Sequence, residues 1–167
     1  MNIQYYLEQL KKSKDFLQFI KENPTAYLCS GFFIIDKQEN DNKQHLDFFV
    51  PGKEKIFSFE IEGEGKMTIL DCLDKTIPEK IIVNFNLDFE DIQDKIMDKI
   101  RQQGINNRVQ KYILSMQKID DKNFLMGTVF LSMFGLLKVV INLDENKITD
   151  FQKKSFFDMV SVFKKNH

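Results

Sequence analysis

The feature that most constrains this chain is the apolar run from Phe124 to Leu143. Its uninterrupted part, Phe124 to Leu137, is 14 residues long before Lys138 breaks it. A bilayer-spanning helix needs about 20 apolar residues, so the run is too short to cross a membrane. Val129, Val139, Val140 and Ile141 are β-branched, and Gly135 sits near the middle. Branched side chains lose rotamer freedom in a helix but pack well on a pleated sheet. The run therefore predicts two buried strands joined near Gly135, with no transmembrane segment.

The rest of the composition supports such a core. The chain has 167 residues, of which 43% are apolar and 29% charged, enough to bury a core without metals or disulfides. Its 24 basic and 25 acidic side chains give a net charge of -1, so no strongly basic field exists to hold nucleic acid. Arg101 and Arg108 are the only arginines, and bidentate phosphate or base-edge recognition is poorly served. Neither GxxxxGK[ST] nor GxGxxG occurs; Gly63 and Gly65 form an isolated pair among carboxylates.

Catalytic side chains are scarce. His167 is the last residue and His45 the only other histidine, with Asp47 two residues on. In a strand that spacing puts both on one face, so a metal or acid–base pair is conceivable, but an exposed polar face is the favoured reading. Asp91, Asp94 and Asp98 resemble a carboxylate cluster; on a helix they sit beside Lys95 and Arg101 and read as a solvated face. Cys29 and Cys72 lie among apolar neighbours without metal or CxxC spacing, and are expected to be reduced, buried thiols. The opening MNIQYYLEQLKKSKD lacks the pattern of a secretion signal, which with few cysteines predicts a cytoplasmic setting. No catalytic, cofactor-binding or metal-ligating residue is assigned.

Along the chain, residues 3 to 21 carry Ile3, Tyr6, Leu7, Leu10, Leu17 and Ile20 on one helical stripe, ended by Asn23-Pro24. Strands are predicted over 26–36, 45–50 and 57–61. A short strand and loop follow within 66–80, and a further strand over 80–86. A second helix starts at Asp88, buries Phe89, Ile92, Ile96 and Ile100, and stops before Gly104. Strands over 109–119, 123–133 and 136–143 come next, the first two joined by the Asp120-Asp121-Lys122 turn. A helix over 150–164 is expected to close the chain, burying Phe156, Met159, Val160 and Phe163.

The halves repeat one order: helix, long strand, hairpin, strand. Tyr27-Leu28-Cys29-Ser30 stands against Tyr112-Ile113-Leu114-Ser115, and Gly52 and Gly135 each precede a strand. The fold class is α+β, with two α-β-β-β units, antiparallel sheets and an appended C-terminal helix. The units are 1–87, with an extra strand, and 88–167, either separate or one integrated domain. Residues 88 to about 150 resemble a PepSY module. The acidic-start helix is Asp88-Phe89-Glu90-Asp91-Ile92-Gln93-Asp94-Lys95-Ile96, and the terminal strand and turn are Val139 to Ile148. Ile92 and Ile96 stand where the family has alanines, and the turn is shorter; Asn146 is the one residue there suited to a left-handed conformation.

That resemblance implies a small non-enzymatic module of the kind that modulates peptidases or accompanies envelope proteins. The element order also resembles small secretion-type chaperones. Both point to a cytoplasmic binding or regulatory protein that takes a protein or peptide on an exposed sheet face or edge. The alternative is a carrier or enzyme using an apolar cavity between sheet and helices, as a Phe-rich, cystatin-like cup could provide.

Overall fold

The structure, a computed structural model, describes residues 2–61, 66–71 and 76–155. Among them are three α-helices and one eight-stranded, wholly antiparallel sheet. The first half runs α1 (Ile3–Leu10), α2 (Lys14–Glu22), β1 (Tyr27–Asp36), β2 (Lys43–Val50), β3 (Lys55–Glu60) and β4 (Met67–Asp71). The second runs α3 (Phe89–Gln102), β5 (Val109–Ile119), β6 (Lys122–Leu131), β7 (Gly135–Asn142) and β8 (Lys147–Ser155). The sheet order is β4-β3-β2-β1-β5-β6-β7-β8, so the halves meet where β1 pairs with β5, Phe32 opposite Ser115.

The apolar run folds as the sequence predicts. It forms the β6–β7 hairpin, with Val129 opposite Leu137 and Gly127 opposite Val139. Leu125, Val129, Leu131, Leu137, Val139 and Ile141 are buried in the core. Three hairpin turns in this half use the left-handed region. Asp120 (φ 50) and Asp121 (φ 64) close β5 on β6, and Met133 (φ 59) and Phe134 (φ 57) close β6 on β7. Two positive φ values in succession define a type I′ hairpin, which Asn-Gly ordinarily occupies. A non-glycine residue there costs about 1–2 kcal/mol. Asn146 (φ 52) turns β7 into β8, at the position the sequence marks.

Four expectations are corrected. The helix over 3–21 is two helices, because Ser13 caps α2 by accepting a hydrogen bond from the Phe16 amide at 3.5 Å. The break shifts the helical phase, so Phe16 and Phe19 are buried while Leu17 is 56% exposed. Lys80–Asn86 is not a strand: β5 pairs with β1 from Ser30 onward, so only the first residues of β1 keep an open edge on that side. That segment joins the sheet end through one bond instead, from the Ile81 amide to the Leu28 carbonyl at 2.8 Å. Finally, a helix does not begin at 150. Residues 147–155 form β8, with Phe151 opposite Val139 and Lys154 opposite Leu136, which pairs an edge of β7 that would otherwise be bare. Phe156, Met159, Val160 and Phe163 lie outside the described residues. The second half therefore has four strands where three were expected.

The α3 boundaries hold. Asp88 Oδ1 accepts from the Glu90 and Asp91 amides at 2.9 and 3.3 Å, and Phe89, Ile92, Ile96 and Ile100 are buried. Asp91 pairs with Lys95 at 3.6 Å and Asp98 with Arg101 at 3.0 Å, as a solvated face requires.

Candidate functional site

All three helices bury their stripes in one cluster on one face of the sheet. Tyr6 and Phe89 meet Phe33, with centroids 6.4 and 4.6 Å away; Phe16 and Phe19 meet Phe48 and Phe59. Phe33, Phe59 and Ile96 are fully buried, so the sheet–helix layer is filled by rings and branched side chains. Strand alternation sends every other residue to the opposite face, and there no helix packs among the described residues. Phe32, Ile34, Ile113, Phe124, Met126, Phe130 and Val140 stand on it, partly exposed.

This open face carries His45 and Asp47, whereas Asp91, Asp94 and Asp98 lie on α3. His45 on β2 lies 3.4 Å (Nδ1) from Ser58 Oγ on β3, and its ring faces Phe32 at 6.4 Å. Asp47, on the same face, accepts from Ser30 Oγ at 2.7 Å, and Gln117 Nε2 donates to Ser115 Oγ at 3.1 Å. Together with Thr68 and Leu70 these residues line a shallow groove of about 470 Å³. Its neighbour, about 310 Å³, runs across β5 to β8 past Ile113, Met126, Thr128, Leu136, Lys138 and Lys154. Ser115 belongs to both, so a polar half and an apolar half form one surface. At one end residues 76–78 cross this face, where the Tyr27 hydroxyl donates to the Pro78 carbonyl at 2.9 Å.

His45 and Asp47 are each engaged by a serine, and no group of three metal-ligating side chains occurs among the described residues. Cys29 is a buried thiol whose Sγ donates to the Asp47 carbonyl at 3.3 Å; Cys72 lies outside the described residues. At the far end of β1, Lys111 donates to Asp36 at 2.7 Å. That bond, with amide donation from Glu39 and Gln38, holds the Asp36 carboxyl down at about 2. Burial pushes the Tyr112 hydroxyl up to about 12, and the Asp94 carboxylate adds to the shift. Ser30, Ser115 and Gln117 were not singled out from sequence; the signal for them is their even spacing on strands whose alternate residues are apolar.

No family model matches the chain, and no curated protein matches it. Among solved structures, it is similar to the crystal structure of a "putative lipoprotein" from Clostridium difficile 630. The two share 9% identity at a TM-score of 0.55, with 84% of this chain and 90% of the other covered. At that identity the likeness is one of fold alone. No helix among the described residues is long and apolar enough to cross a membrane.

Proposed function

We propose that this protein is a non-catalytic binding or regulatory module, built from two PepSY-like units, that takes an extended protein segment on its open sheet face. The observation that carries this reading is the one-sided packing. All three helices lie on one face, and the other presents Phe32, Ile113, Met126 and Phe130 beside Ser30, His45, Asp47 and Gln117. Side chains of an extended segment alternate, so apolar ones fit the β5–β8 half while polar ones meet the serines and the amide. The low cysteine content fits a reducing compartment such as the cytoplasm.

A peptide-display selection on the purified protein tests this. Selected peptides should bind wild type and Leu17→Lys equally, because Leu17 is exposed on α2. Phe32→Lys or Met126→Lys should weaken them by about tenfold or more, since each buries a charge under the peptide. Peptides indifferent to both open-face charges would refute the reading. A small apolar molecule co-purifying with the protein in native mass spectrometry would favour the carrier instead. Its entry would be the groove of about 220 Å³ beside Tyr6, Phe33 and Phe89.

A further inference from the structure

The sheet ends in two edge strands that differ in chemistry. β8 carries Asp150, Lys153 and Lys154, and charges on an edge discourage another strand from pairing with it. β4 has no such guard: Met67, Thr68, Ile69 and Leu70 are uncharged, and Asp71 is paired with Lys55 at 3.9 Å. Every residue of β4 is exposed, Met67 at 41%, Ile69 at 51% and Leu70 at 42%. Among the described residues no strand lies beyond it.

The hydrogen-bond register fixes which backbone groups β4 leaves over. The Ile61 amide donates to the Gln44 carbonyl on β2, and the Glu60 amide to the Lys66 carbonyl at 3.1 Å. Backbone groups alternate in direction along a strand, so Ile56 and Ser58 also bond toward β4, meeting Leu70 and Thr68. The N–H and C=O of Met67, Ile69 and Asp71 therefore point outward. Those positions are symmetric about Ile69. A second β4 run antiparallel about that point sets Ile69 against its counterpart, Met67 against Asp71 and Thr68 against Leu70. Every outward N–H then meets an outward carbonyl.

We propose that β4 is the contact by which two copies of this chain pair edge to edge, in a reversible dimer with one continuous antiparallel sheet. A second copy fits in charge and in shape. The central row across the junction runs from Phe57 through Ile69 to the same two residues of the other copy, apolar throughout. No like charges face each other, and at a net charge of -1 two copies barely repel. Phe16 and Phe19 dock α2 over β2 and β3 and leave β4 uncovered. Three strand spacings of about 4.8 Å separate β3 from its counterpart, so the two α2 helices clear the roughly 8–10 Å of packed helices. The two-fold keeps each face of the sheet on one side, so the open faces join into one surface. A contact between two five-residue strands is smaller than the roughly 1,200 Å² of a stable interface, so the dimer is weak and forms only at high concentration. It does not depend on what the open face binds.

Sedimentation velocity of the full chain from about 10 μM to about 1 mM tests the proposal. Wild type should pass from one chain mass towards two across that range. Amide exchange should slow with concentration at Met67, Ile69 and Asp71 and stay constant at Thr68 and Leu70, whose amides already bond to β3. Ile69→Pro removes an outward donor, which an edge strand tolerates, and Ile69→Lys sets two like charges face to face. Each should raise the dimer dissociation constant about tenfold or more, with a melting curve near that of wild type. The exchange readout needs no variant, so it stands even if either substitution unfolds the chain. A wild type that stays monomeric throughout would overturn the proposal and leave β4 to a foreign strand. So would a dimer that persists in folded Ile69→Pro, or one that leaves exchange at Met67, Ile69 and Asp71 unslowed, since the contact would then lie elsewhere.

Discussion

Gly127→Ala offers a sharp test of the sheet register. Gly127 lies on the helix-facing side of β6 opposite Leu114, and a Cβ added there would stand 2.6 Å from Leu114 Cδ2. Leu114 is 1% exposed, so its side chain has no water to move into and must displace core neighbours. Overpacking of this kind costs about 1–3 kcal/mol. The substitution also removes glycine's extra freedom in the unfolded chain, which offsets about 0.5–1 kcal/mol. The net loss is roughly 0–2.5 kcal/mol, centred near 1, or a Tm lower by about 2–4 °C at that centre for this chain length. Leu114→Val deletes the clashing atom. In that background Gly127→Ala should be neutral or slightly stabilising, a reversal visible in a double-mutant cycle by urea denaturation. An equal cost of Gly127→Ala in both backgrounds would refute the Gly127–Leu114 pairing.

Met133→Asn should raise Tm by about 2–4 °C, because it relieves roughly 1 kcal/mol of left-handed strain at a side chain that buries little; a lower Tm would mean the methionine is packed. Ser13→Ala should cost about 0.5–2 kcal/mol by uncapping α2, with fraying seen as faster amide exchange at Phe16. Asp36 titrates near 2 in the fold against an ordinary 3.8, so its stabilisation is fully present above about pH 4 and lost as pH falls through 2. Asp36→Asn should therefore flatten the acid limb of Tm against pH, and an unchanged limb would show that other carboxyls set it.

Local chemistry made the second half legible. The acidic cap at Asp88, the stripe of Phe89, Ile92, Ile96 and Ile100, and the β-branched pairs of β7 each specify their element without help from distant residues. Where expectation failed, the deciding partner was far away in sequence. Lys80–Asn86 has strand composition, yet β5 takes β1 from Ser30 onward and leaves only its first residues open to it. Ile148 and Phe151 suit a helix stripe as well as a strand, and only the open side of β7 decides for β8. The Ser13 break was visible as a capping residue but was masked by leucines that kept an apparent helical period across it. The open-face site was half visible: His45 and Asp47 shared a face by spacing, whereas Ser30, Ser58 and Gln117 reach them only through pairing across strands.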